Sequence, residues 1–282
     1  MAYEITLLTT MAISILFALS LNFISGFCGQ ISLGHAAFLG TGAYASAMLT
    51  KSSIPFLLTL PVAAIIAGFF GFLIGLASLR VRHDFLAITT MGVGFLFVGI
   101  VRKQDFLGGE LGLAGIPSPD MSRESFMVFC IILAVIFAIF SLYIRRSWMG
   151  FVFESIADNE DVTRILGIDA SRFKLAAFVI GTAVAGIAGA LYAHHFRYIG
   201  PDSFGFVQSV SVLAMVIVGG VGSVWGVAFA AAVLSILPLL VQFIDDYKLL
   251  FYSGLLFAMM RFAPDGVAGI VQRLYGYVRR KS

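Results

Sequence analysis

Charged residues are scarce in this chain. They make up 12% of its 282 residues, against roughly 25% in a soluble globular domain. With 60% hydrophobic residues and a mean hydropathy of +1.01, that scarcity excludes a fold solvated by water on all sides. Cysteine is almost missing. Cys28 and Cys130 lie far apart, each in or beside an apolar run, so a disulfide framework is excluded and small buried hydrophobes remain. The net charge of +3 is too small, and its basic residues too dispersed, for a nucleic-acid partner. Carboxylates are nearly absent from the apolar runs, which counts against a stand-alone secondary transporter needing coupling acids at membrane depth. No nucleophile–base pair and no ligand cluster is visible, so neither an enzyme nor a metal or cofactor site is expected. Gly219-Gly-Val-Gly-Ser223 looks like a phosphate loop but lacks the Gly-Lys-Ser/Thr ending, so nucleotide binding is not supported. The first apolar segment has no basic residues ahead of it and is long enough to span, which indicates a retained helix instead of a cleaved signal.

What is present is a series of apolar runs. About 20 apolar residues cross a bilayer core. Candidate segments fall at 5–25, 35–50, 54–79, 85–101, 125–144, 172–196, 206–222, 224–242 and 248–262. The predicted class is an all-α polytopic transmembrane bundle of about 8–10 helices, some short or broken, forming a single domain over residues 1–282. Arg80, Arg82, Arg145, Arg146, Arg164, Arg172, Lys174, Arg273, Arg279, Arg280 and Lys281 all fall on one side if the segments alternate. The positive-inside rule then puts the N-terminus outside and the C-terminus in the cytoplasm. Arg102, Lys103 and, weakly, Lys51 oppose that scheme. The outer loop, 103–123, is rich in Gly and Pro and is expected to be irregular, exposed and open to a partner.

The inner loop, 145–171, is the longest polar stretch. Nothing between Phe151 and Leu166 breaks a helix, and Gly167 suits a C-terminal stop. Glu154, Asp158, Glu160 and Asp161 share this predicted helix with Phe153, Ile156, Val162, Ile165 and Leu166. Such a helix fits a groove on a partner protein. The alternative, resting on headgroups, is opposed by its acidic face, since the inner leaflet is itself negative.

Gly26-Phe-Cys-Gly-Gln-Ile-Ser-Leu-Gly-His35 interrupts the first two segments with three glycines, Gln30, Ser32 and His35. Polar irregular backbone at this depth must be buried in protein or line a wet cavity; both readings stand, and a lone His proposes no metal site. Gly219–Ser223 is a tight turn between segments. Its Gly220, Ser223, Gly226 and Phe229 echo Gly29, Ser32, Gly34 and Phe38 with spacing off by one. Gly71-Phe-Leu-Ile-Gly75 and Ala185-Gly-Ile-Ala-Gly189 permit close helix approach, within the chain or with a second membrane subunit. His194 and His195 point to different sides of a helix, where a surface role is expected. Asp245, Asp246 and Lys248 form a solvated outer turn.

These residues together resemble a known family. Gly29-Gln-Ile-Ser-Leu-Gly-His-Ala-Ala-Phe38 with Gly42-Ala-Tyr44, Glu154-Ser-Ile-Ala-Asp158 through Gly167, Ser203-Phe-Gly-Phe206 leading to Gly219–Ser223, and Pro264-Asp-Gly-Val-Ala-Gly-Ile270 carry the likeness. The chain is similar to the M-type permease subunits of ABC importers for branched-chain amino acids. The resemblance implies a bacterial inner-membrane permease for a small amino acid, fed by a periplasmic binding protein. It also implies a second homologous permease beside it and two cytoplasmic ATPases driving it. Residues near 150–168 would be the coupling helix, with Glu154, Ser155, Asp158 and Gly167 as coupling residues. Gln30, Ser32, Gly34, His35, Gly220, Gly222 and Ser223 would line the translocation pathway. The family's outer loop often reads Gly-Leu-Thr-Gly-Gly; here it is Gly112-Leu-Ala-Gly-Ile-Pro117, which leaves urea, amides or other amino acids as alternative cargo.

Overall fold

The computed structural model describes residues 2–78 and 83–270. Arg80, Arg82 and the basic C-terminal residues Arg273, Arg279, Arg280 and Lys281 lie outside them. The long helices are α1 (Ala2–Leu21), α2 (His35–Lys51), α3 (Phe56–Ser78), α4 (His83–Lys103) and α5 (Arg123–Arg146). Two short ones follow, α6 (Trp148–Asp158) and α7 (Glu160–Ile165). The chain continues through α8 (Ala170–Phe196), α9 (Phe206–Gly219), α10 (Val224–Leu240), α11 (Gln242–Asp246) and α12 (Lys248–Phe262). Every expected apolar segment is a helix. Among the described residues, 6 spans can cross a membrane by length and composition: Tyr3–Phe27, Phe56–Ala77, Phe85–Lys103, Arg123–Arg146, Ala170–Phe196 and Pro201–Gly219. Helices α2, α10 and α12, of 17, 17 and 15 residues, are the short members.

Burial differs from that of a soluble protein in that large apolar side chains cover the outside as well as fill the core. Ile65, Phe69, Phe70 and Leu73 of α3 are 45–69% exposed, while Ser20, Asn22, Ser46, Thr59 and Thr182 are fully buried. Hydroxyls go inside because lipid offers them no partner, and large apolar side chains go outside because lipid costs them nothing. The chain is a polytopic all-α membrane protein.

Helix α8 is the central strut, and small residues let its neighbours reach it. A Cβ at Gly42 of α2 would lie 2.2 Å from Gly186 O, and one at Gly189 would lie 1.9 Å from Leu39 O. Gly71 of α3 meets Thr182 in the same way, at 1.9 Å from its Oγ1. The small-residue patterns therefore pack helices within this chain. His194 and His195 are held inside as well. His194 is 2% exposed, with Nδ1 donating to Ala190 O at 2.8 Å and its ring 4.6 Å from that of Phe56. His195 is half-buried, 3.2 Å from Thr10 Oγ1. The expected surface role is corrected: apolar helices flank α8 on both sides, and ring nitrogens find partners among them.

Successive long helices alternate in direction, giving two ends. One carries α6 and α7, the break at 28–34, the turn at 220–223 and residues 263–270. The other carries the start of α1, residues 104–122 and 197–205, and α11. At this second end, β1 (Leu113–Ala114) pairs antiparallel with β2 (Tyr198–Ile199), Leu113 facing Ile199. Leu113 and Ile116 are buried, and Arg102 Nη2 bonds Asp202 Oδ1 at 2.6 Å. The outer loop is thus pinned by a strand pair and an ion pair, a long-range tie that its Gly and Pro content conceals.

Pro238 lies inside α10 and has no N–H for Leu234 O. The hydroxyl of the buried Tyr252 in α12 donates to that carbonyl instead, at 2.9 Å. One side chain thereby repairs α10 and fastens it to α12.

Candidate functional site

At the α6 end, the expected single inner helix is two helices. Asn159 is extended (φ −160°, ψ 105°) and caps α7, its Oδ1 accepting from the N–H groups of Asp161 (3.0 Å) and Val162 (3.1 Å). Glu160 and Asp161 then occupy the first turn, where the helix dipole favours them. Thr163 Oγ1 donates to Ser155 O at 2.9 Å and ties α7 back onto α6. Gly167, at φ +84°, ends the element, its N–H donating to Arg164 O at 3.0 Å.

The α6–α7 unit has two faces. Val152, Phe153 and Ile156 are buried, with Phe153 edge-on to Phe173 of α8 at 6.3 Å. Outward stand Trp148 (68% exposed), Phe151, Glu154, Ser155, Asp158, Val162, Ile165 (84%) and Leu166 (72%). This is an apolar patch with carboxylates through it, beyond the ends of the spans. The link to the bundle is ionic. Glu160 Oε1 accepts from Arg164 Nη2 at 2.7 Å, and Oε2 accepts from Nζ of Lys174, whose side chain is 10% exposed. Lys174 belongs to α8, so a charge pair joins the exposed unit to the central strut. Sequence reasoning named Glu154, Ser155, Asp158 and Gly167 but missed Asn159, Thr163 and the Glu160–Lys174 pair. The signal for Asn159 was present: an N-cap residue followed at once by two acids.

The glycine-rich break sits directly behind this unit. Helix α1 runs on as a π-helical turn, Asn22–Phe27, before the chain opens. A Cβ at Gly29 would lie 3.2 Å from Ala157 Cα, so α6 rests on the break. Side chains of α4, α9 and the π-helical turn itself take up its backbone groups. Thr90 Oγ1 accepts from Leu33 N at 3.0 Å, Ser209 Oγ accepts from Ala36 N at 3.1 Å, and Ser25 Oγ donates to Gln30 O at 2.8 Å. Asn22 Oδ1 accepts from Gly222 N at 3.1 Å, joining this break to the second glycine turn. Gly34 is packed so closely that a Cβ would lie 1.8 Å from Thr90 O.

Gln30, Ser32, Gly34 and His35 are buried among these groups, as is Gly220, whereas Gly222 and Ser223 are half-buried. His35 stacks on Phe17 at 5.3 Å and lies 2.8 Å from Ser20 Oγ. Ser20 gives its proton to Phe17 O, so Nε2 of His35 must be the donor and Nδ1 an acceptor. That Nδ1, with Ser32 Oγ and Asn22 Nδ2, is buried without a hydrogen-bond partner among the described residues. Unsatisfied buried groups cost about 1–3 kcal/mol each, and their grouping marks the break as the costly part of this packing. Ser223 caps α10, accepting from Gly226 N at 3.2 Å, but Ser32 has no such role. The echo between the two glycine segments is therefore one of composition and not of capping geometry.

A family model described as "Branched-chain amino acid transport system / permease component" matches residues 4–260, which takes in every long helix above. The chain belongs to this permease family. Among curated relatives, the high-affinity branched-chain amino acid transport system permease protein LivM of Escherichia coli is 32% identical, covering 92% of this chain and 68% of its own length. LivM of Salmonella typhimurium is 31% identical, over 94% of this chain and 69% of the relative. The permease protein BraD of Pseudomonas aeruginosa is 25% identical, over 90% and 91%. No solved structure matches. In this permease, the two Gly-rich segments and the α6–α7 unit form one contiguous assembly at one end of the bundle.

Proposed function

We propose that this permease is one of two related membrane subunits of an ATP-driven importer for branched-chain or similar small amino acids in a bacterial inner membrane. Cargo comes from a periplasmic binding protein, and two cytoplasmic ATPases drive the cycle. The α6–α7 unit is the seat for an ATPase, and the observation that carries this reading is its outer face. Trp148, Phe151, Ile165 and Leu166 stand exposed beside Glu154 and Asp158, on a unit joined to α8 through Glu160 and Lys174. Exposed apolar side chains interspersed with carboxylates, outside the spans, are the form of a protein-docking surface.

The α6 end faces the cytoplasm in this reading, because by sequence Arg80, Arg82 and the basic C-terminal residues also belong to it. The β1–β2 end then meets the binding protein. The names of LivM and LivH, the latter 23% identical to this chain, support a pair of related permeases. Among the Asp and Glu side chains that the structure describes, none is fully buried, which opposes ion coupling inside this chain. Gln30, Ser32, Gly34, His35, Gly220, Gly222 and Ser223 act here as a closed seam that must part during translocation.

The test is reconstitution into vesicles with the second permease, both ATPases and the binding protein. Leucine uptake that needs every component and internal ATP supports the reading. Uptake by this chain alone on an ion gradient would overturn it.

A further inference from the structure

One cavity at the β1–β2 end takes no part in the import reading. It lies between the first turns of α1, residues 118–121, the start of α5 and the end of α8, encloses about 330 Å³, and has Arg123 and Arg197 in its wall. Neither arginine side chain has a hydrogen-bond or ion-pair partner among the described residues, whereas Arg102 at the same end is paired with Asp202. The carboxylates next to it in sequence, Glu4, Asp120 and Glu124, lie outside the lining. Arg123 opens α5, at the positive end of a 24-residue helix, where a cation is the disfavoured charge and an anion the favoured one. Arg197 ends α8 in the left-handed conformation (φ 57°), where glycine is usual. One of its roles is to offset the carbonyl end of α8. Arg123 has no such reason to be where it is.

The rest of the wall is mostly apolar, with Ile5, Met121, Phe126 and Phe196. Thr9, which also lines it, is 1% exposed and gives its proton to Ile5 O at 2.7 Å. A hydroxyl has a single proton, so the Thr9 oxygen is left as an acceptor. Thr9, Phe126 and His194 belong to the spans Tyr3–Phe27, Arg123–Arg146 and Ala170–Phe196. The cavity therefore reaches into the spans, and its mouth stands at the level of lipid headgroups.

We infer that this cavity binds the headgroup phosphate of an anionic phospholipid. Arg123 and Arg197 hold the phosphate oxygens, for which the guanidinium fork is well shaped. Thr9 accepts from a headgroup hydroxyl, and the apolar wall covers the glycerol and the first methylenes of the acyl chains. A free phosphate answers the two cations but leaves that wall uncovered. A zwitterionic phospholipid brings an ammonium group towards the same two guanidiniums. The site requires membrane residence alone, so it stands or falls apart from the import reading.

The test takes the full chain purified in detergent and titrates it with phosphatidylglycerol, phosphatidylcholine or inorganic phosphate, counting bound molecules by native mass spectrometry. The first phosphatidylglycerol should bind at least about tenfold more tightly than phosphatidylcholine, and an equal concentration of inorganic phosphate should not displace it. Arg123→Gln and Arg197→Asn should each weaken it about tenfold, the worth of one charge-assisted hydrogen bond. Arg123→Gln takes a cation from the positive end of α5, and asparagine tolerates the left-handed conformation that ends α8, so both helices are kept. Lys103→Gln, an exposed cation at the same end but outside the lining, should leave the affinity unchanged. An equal loss with Lys103→Gln would reduce the effect to general charge attraction and overturn the site. Equal affinity for the two lipids would overturn it as well, and this comparison needs no variant to fold. Displacement by equimolar inorganic phosphate would assign the arginines to a soluble anion, and weaker docking of a binding protein with lipid affinity intact would assign them to a protein carboxylate. Either result refutes the lipid site.

Discussion

Replacing Glu160 with Gln keeps the side chain's volume and removes the charge that joins α7 to Lys174 of α8. Breaking a fully buried ion pair by deleting one partner costs about 3–5 kcal/mol, whereas an exposed pair is worth about 0–1 kcal/mol. With 17% and 10% of the two side chains exposed, this pair stands nearer the buried limit, and about 2–3 kcal/mol is expected. At about 1.4 kcal/mol per factor of ten, attachment of α7 to the bundle weakens about 30- to 100-fold. The Asn159 cap and the Thr163–Ser155 bond remain, so α7 stays helical but loosens from α8. In the reconstituted importer, Glu160→Gln should raise the ATP hydrolysed per leucine imported, with insertion and assembly unchanged. Hydrogen exchange should quicken over residues 160–166. The double variant Glu160→Gln/Lys174→Gln should cost less than the sum of the single changes, because it removes the poorly solvated Lys174 charge together with its carboxylate partner. An unaltered ratio of hydrolysis to import, with unaltered exchange, would refute the assignment of this pair as the mechanical link.

Two further outcomes follow from close contacts. Gly34→Leu places a side chain where even a Cβ lies 1.8 Å from Thr90 O. Import should fall to background while the binding protein still docks, and normal import would return the break to plain packing. Tyr252→Phe removes the donor to Leu234 O beside Pro238 and should cost about 1–3 kcal/mol, seen as a lower Tm of the purified transporter. An unchanged Tm would mean that another donor serves this carbonyl.

The nine apolar segments were legible because crossing lipid is a local demand: each run must satisfy its own backbone within a helix. Close packing at Gly71 and Gly189 was legible for a similar reason, since small residues at a spacing of four have few other uses in a membrane. The split at Asn159 was missed although a capping residue followed by two acids signalled it, because Asn is also tolerated inside a helix and only the folded contacts of Thr163 and Lys174 fix α7 against α6 and α8. His194 and His195 were misplaced because adjacency on a helix decides their directions but not what lies opposite. Only the fold brings Phe56 and Thr10 to them. The outer loop's order depends on a strand partner more than 80 residues away, Tyr198 OH donating to Leu111 O with a separation of 87, and no local pattern announces that.

The central claim is that the α6–α7 face meets an ATPase on the inside of the cell, and sidedness tests it most directly. A thiol at Glu154, an exposed position on that face, can be challenged with a membrane-impermeant maleimide in intact and in permeabilised cells. No labelling before permeabilisation, and strong labelling after it when the ATPases are removed, is the outcome this mechanism requires. Strong labelling of Glu154→Cys in intact cells would place the face outside and end the coupling account.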